Sequence, residues 1–143
     1  MKNLKIGETR LSKPLNVGED DIIVFAKQFD PQPFHIDPEA ANETQFEGLI
    51  ASGVHSIALW RKLDDQINKD IAFICGVEFD KVRMLNPLRP SDRIHLHSEI
   101  KSLKRSRTKV DRGYVKIFYK LFNQNDQVVL ALSCTSLVKC RVK

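Results

Sequence analysis

The chain has 143 residues, 23 basic and 18 acidic side chains and a formal net charge of +5. It is 42% hydrophobic, 8% aromatic and 29% charged, which is the composition of one globular domain and excludes a disordered tail, a collagen-like fibre or a disulfide-stapled miniprotein. A single domain over 1–143 of this size buries roughly two-thirds of its unfolded surface, enough for a core.

No apolar run approaches the roughly 20 residues of a membrane span. Met1-Lys2-Asn3-Leu4-Lys5 has no apolar stretch behind it, so no secretory signal is expected. Cys75, Cys134 and Cys140 are scattered, without zinc spacing or a disulfide framework. A cytoplasmic location follows as the expectation, with the three cysteines as small core residues. The charge is uneven: residues 1–70 hold 8 basic and 12 acidic side chains, residues 71–143 hold 15 and 6.

In chain order, Thr9 to Val17 predicts a short strand, at an edge because of Pro14. Gly18 then opens a helix to about Gln28. Glu19, Asp20 and Asp21 suit its positive end, and Ile22, Phe25, Ala26 and Phe29 make one apolar face. Asp30 to Pro38 carries three prolines, which predict a rigid extended loop. Asp37 caps a short helix beginning at Pro38.

Ser52 is an N-cap for a central helix from Gly53 to about Asn68. Its first half is apolar almost all round, which predicts burial; Arg61, Lys62, Asp64 and Asp65 face water. Four strands follow, from Ile71 to Val82, Arg93 to Lys101, Gly113 to Phe122 and Val128 to Val142. In the second of these, Ile94, Leu96, Ser98 and Ile100 share one face. One apolar helix wrapped by a curved antiparallel sheet is the simplest α+β solution. The last two strands are apolar on both faces. One helix covers only one of them, so a homodimer or higher homo-oligomer with paired edge strands is expected.

Asp30 and His35 are the most suggestive chemical pair. Packed against the core, the carboxyl is expected to be desolvated and its pKa raised, which suits a general base. A capped turn with a packed imidazole is the other reading. Gly53, in the first turn of the central helix, offers an N–H without an intrahelical acceptor; it reads either as an oxyanion donor or as a plain helix-entry glycine. His95 and His97 share a strand face but lack a third ligand, so no metal is expected. His55 lies one turn into the helix, at a pocket mouth or packed. Lys101, Lys104, Arg105, Arg107, Lys109 and Arg112 form the strongest basic run. It lacks interleaved aromatics and is a poor nucleic-acid signal. It is either a solvated hairpin tip or an attractor of phosphates.

The stretch Phe25-Ala26-Lys27-Gln28-Phe29-Asp30-Pro31-Gln32-Pro33-Phe34-His35-Ile36-Asp37 resembles the hydratase motif of the MaoC-like family, the (R)-specific enoyl-CoA hydratases and related acyl-CoA dehydratases. Gln32 stands where that motif has Asn. The likeness continues through Phe46 to His55, with Ser52 where His is usual, and through Pro87 to Asp92, with Ser91 for Gly. The resemblance implies a hot-dog fold and an acyl thioester substrate on coenzyme A or a carrier protein. It also implies no metal or redox cofactor and a dimer or larger assembly. The basic run and the lack of a long apolar run separately give the expectation of neither nucleic-acid nor membrane partners. It implies Asp30 and His35 as catalytic residues, with Gly53 N–H on the thioester carbonyl. Gln32, Ser52, His55, Arg105 and Arg107 are the expected substrate contacts. The expected reaction is hydration of a trans-2-enoyl thioester. A thioesterase on the same fold and a non-catalytic acyl-thioester binder are the rivals.

Overall fold

The computed structural model describes residues 3–141; Met1, Lys2 and the strand end expected at Val142 lie outside them. Elements run β1 (Thr9–Leu11), β2 (Leu15–Asn16), α1 (Glu19–Phe29), α2 (Pro33–Ile36), α3 (Pro38–Asn42) and α4 (Gly53–Asn68). They continue with β3 (Phe73–Met84), β4 (Arg93–Arg105), β5 (Arg112–Phe122) and β6 (Val128–Lys139). The antiparallel sheet has the order β1-β4-β5-β6-β3, with β2 also paired to β4. It wraps α4, which is the hot-dog α+β arrangement. Among the described residues no helix is long and apolar enough to cross a membrane.

The inner sheet face supplies the core. Ile94, Leu96, Ser98 and Ile100 of β4 all point inward as the alternation predicts, with Ile117, Leu121, Leu130 and Leu132 beside them. Trp60 of α4 is fully buried, its ring edge-on to Tyr119 at 5.2 Å. Its loss would cost about 3–5 kcal/mol.

Several expectations are corrected. The single strand over Thr9 to Val17 is two, because Pro14 cannot donate to β4. Ser12 bridges the break: its N–H donates to Leu96 O at 2.9 Å, and its Oγ accepts from Leu96 N at 2.8 Å. Asp64 does not face water. It is buried, accepting from Asn68 Nδ2 at 2.7 Å and from Arg61 at 2.5 Å. The Tyr119 hydroxyl also bonds to it, and burial first, then this carboxylate, pushes the Tyr119 pKa far up. A buried charge persists only when so paired, and this network ties α4 to β5. The first half of α4 is not buried all round, since Val54 and Ala58 are exposed. Only Cys134 is a core cysteine; Cys75 is exposed and Cys140 partly so. Ser91 sits at φ 67°, in the left-handed region that glycine favours.

Candidate active site

The loop expected between Asp30 and Asp37 contains a helical turn. Pro33 occupies the first position of α2, where a missing N–H costs nothing. Proline thus starts this turn, and the expectation of a wholly extended loop fails for that reason. Asp30 caps the C-terminus of α1, its N–H donating to Ala26 O at 2.8 Å. Asp37 caps α3 as expected, its carboxylate accepting from Glu39 N and Ala40 N.

His35 is buried, and its ring orientation is set by Ile50. Nδ1 lies 2.7 Å from Ile50 O. A carbonyl only accepts, so Nδ1 carries the proton and Nε2 presents its lone pair in the neutral ring. Phe34 O accepts from Ile50 N at 3.1 Å, locking α2 to the segment that leads into α4. His35 Nε2 lies 3.3 Å from Asp30 Oδ2.

The Asp30 carboxylate is held from two sides. Ser52 Oγ donates to Oδ2 at 2.7 Å, and Gln32 Nε2 donates to Oδ1 at 2.8 Å. Two of the three residues that depart from the family pattern, Gln32 and Ser52, therefore grip the same carboxylate. The Ser52 bond first, then the Gln32 bond, holds the Asp30 pKa below the ordinary carboxylate value. This corrects the expected rise. The side chain keeps 22% exposure, so desolvation is outweighed by donors to the charged form. Ser52 also caps α4, its Oγ accepting from Val54 N at 3.2 Å.

Gly53 is the first residue of α4, and among the described residues no acceptor takes its N–H. Its lack of a side chain is needed for packing. A Cβ there would lie 2.9 Å from Cε of Met84, which reaches across from the end of β3. His35 and Gly53 together line a cavity of about 340 Å³, within the range of small-ligand sites. Its walls are mainly apolar, with Phe46, Ile50, Met84 and Val129 among them. Sequence reasoning missed these four. The approach of Met84 to Gly53 joins β3 to α4, so no local sequence signal marks it.

The other expected contacts lie apart. His55 packs on Phe25, with ring centroids 4.4 Å apart, and is buried; burial pushes its pKa down. Arg105 ends β4 and Arg107 lies in the following hairpin, both at the far end of the sheet. Arg105 pairs with Gly113, and Gly113 with Val138. Val138 is eight residues along β6 from Leu130, the partner of Met84, which is about 26 Å. His95 stacks on Phe122 on the outer sheet face. Among the described residues no group of three or more His, Cys, Asp or Glu side chains is placed to hold a metal ion.

Residues 2–117 match the profile of the MaoC like domain family. The chain is 31% identical over 137 residues to the uncharacterized protein YdeM of Bacillus subtilis, covering 94% of each chain. It superposes on the MaoC-like dehydratase of Rhodospirillum rubrum with a TM-score of 0.92 and 32% identity, over 100% of this chain and 98% of that one. The (R)-hydratase of A. caviae involved in PHA biosynthesis shares the fold, with a TM-score of 0.72 and 21% identity, over 99% of this chain and 100% of that one.

Proposed function

The chain belongs to the MaoC-like domain family, and on that premise we propose that it reversibly hydrates a trans-2-enoyl thioester to a 3-hydroxyacyl thioester. One observation carries the reading: two acceptors, Asp30 Oδ2 and His35 Nε2, stand 3.3 Å apart, and His35 lines the same cavity as Gly53. Two neighbouring acceptors are matched by a water that donates one proton to each. Its oxygen lone pair is then free to attack.

In the proposed reaction the thioester carbonyl takes the Gly53 N–H at the positive end of α4, while the acyl chain lies in the apolar cavity. The water oxygen bonds to the β-carbon, and Asp30 accepts the proton it loses. The electron pair of the double bond moves to the α-carbon and carbonyl, and the Gly53 N–H stabilises the oxyanion that develops there. The Asp30–His35 pair returns one proton to the α-carbon, so one water is added in full. A held, ionised Asp30 is ready to accept that proton at neutral pH. The test is hydration of crotonyl-CoA and longer enoyl-CoAs, followed by loss of the conjugated chromophore. Release of free coenzyme A without a hydrated thioester would instead assign a thioesterase.

The Ser52 bond gives a pH prediction. Removing a donor to the charged form raises the carboxyl pKa. Ser52→Ala is therefore expected to move the acidic limb of kcat/KM to higher pH, since the base must be ionised to act. An unmoved limb would detach Asp30 from catalysis. Loss of the cap should also cost about 1 kcal/mol of stability.

A symmetric homodimer is part of the proposal. Edge strand β3 exposes Ile74, Val77, Phe79 and Met84, and neighbouring α4 exposes Val54. A long apolar edge of this kind is covered in stable proteins. Sedimentation at micromolar concentration is expected to give twice the 16.4 kDa chain mass; a single 16.4 kDa species would refute the pairing.

A further inference from the structure

On the outer face of the sheet, a second cavity of about 670 Å³ adjoins the first, and Leu85 lines both. Its floor is built from small residues of β6, Ala131 and Ser133. Its walls are long cations of the flanking strands. Register puts Lys120, Ala131 and Arg83 in one row. Arg83 and Lys120 therefore face each other roughly 10 Å apart across the alanine. Lys81, at a break in the β3 register, and Lys116 and Lys101 complete the basic lining. Phe118 lies between them, with Lys101 and Lys120 at 5.9 and 5.8 Å from its ring centroid.

Two of the five cations are already neutralised. Lys116 pairs with Asp80 at 3.2 Å and Lys101 with Glu99 at 3.0 Å. Among the described residues Lys81, Arg83 and Lys120 have no carboxylate partner within ion-pair distance. Three uncompensated cations around a concave floor are a site for a multiply charged anion. Phe118, which also lines the groove, adds an aromatic surface beside these cations against which a base can pack.

We infer that this groove binds the phosphorylated nucleotide end of coenzyme A, so that the thioester enters the His35–Gly53 cavity across Leu85 from the outer sheet face. The inference rests on the proposed hydration of a thioester and selects its carrier. It also moves phosphate recognition away from Arg105 and Arg107, which lie at the other end of the sheet. The flexible pantetheine arm connects the two cavities over the end of β3, where Leu85 is exposed. An uncharged connection over an apolar residue, with anions beyond it, matches the order of groups along coenzyme A.

The test compares crotonyl-CoA with crotonyl-pantetheine, the same thioester without nucleotide or phosphates, at low and physiological salt. Wild-type protein is expected to show a KM for the coenzyme A substrate about tenfold lower at low salt, a gap that closes as salt screens the cations. The charge-reversed variant Arg83→Glu/Lys120→Glu should raise that KM about tenfold and leave crotonyl-pantetheine unchanged. Equal KM values for the two substrates, with no effect of the reversal, would overturn the inference. So would a variant that loses activity only on an acyl-carrier thioester, which would assign the groove to an acidic carrier protein. If wild-type protein hydrates neither thioester, the hydratase reading fails, and the groove is tested alone with adenosine 3′,5′-bisphosphate by calorimetry. Binding that the double reversal abolishes would uphold the groove as a nucleotide site; no binding by wild-type protein at millimolar ligand would overturn it.

Discussion

Asp30→Asn is expected to lower the rate of enoyl thioester hydration by about 10²–10⁴-fold, the usual contribution of a general base. The substitution removes the charge and keeps the shape. The amide that replaces the carboxylate can still accept from Ser52 through its carbonyl oxygen, and the site retains its α1 cap because that bond is made by the backbone N–H. The fold should therefore survive, with a melting temperature within about 4 °C of wild type, the equivalent of roughly 1 kcal/mol. The kinetic and thermal measurements together separate catalysis from structure. A variant that melts normally and hydrates crotonyl-CoA at the wild-type rate would remove Asp30 from the mechanism. A structural residue could not give the expected pattern, since its loss lowers stability and activity together.

Deleting the Gly53 N–H should cost about 10²–10³-fold in kcat, the range for one oxyanion donor. Proline makes the deletion possible because position 53 is the first of the helix, where proline is favoured. The preceding residue is compatible, since Ser52 has ψ 142°, in the extended region that proline requires before it. Bulk is the complication: any Cβ at 53 meets Met84 Cε at 2.9 Å. The comparison therefore runs in a Met84→Ala background. There Gly53→Ala adds the Cβ and keeps the donor, while Gly53→Pro removes it. A large fall in kcat for proline but not for alanine identifies the N–H as the active group. Equal rates for the two would show that the carbonyl is held elsewhere.

The resemblance carried by Asp30, Pro33, His35 and Gly53 is legible in the amino-acid sequence, because these residues lie in short continuous stretches whose order is itself the signal. The position of His35 inside a helical turn is less so. Proline both forbids a helix interior and favours a helix start, and only the packing of Phe34 and Ile50 decides which applies.

The state of Asp30 is not legible in the sequence. Burial alone argues for a raised pKa, yet Ser52, 22 residues away, arrives with its hydroxyl on the carboxylate and reverses the sign. Asp64 reads as a surface charge on a helix, and only the docking of α4 on β5 brings Tyr119 to it. The basic half of the sequence is visible as a count. Its arrangement is not, because Lys120 and Arg83 lie 37 positions apart and meet across Ala131 only through sheet register.

Local features such as the Asp37 and Ser52 caps, the β4 alternation and the extent of α4 were set by the sequence alone, since each depends on neighbours within a turn or a pleat. The grip on Asp30, the cover of Met84 over Gly53 and the outer basic groove were decided by tertiary structure. Each joins residues from different elements, and hydrogen bonding and close packing act only over a few ångströms, which chain order does not specify.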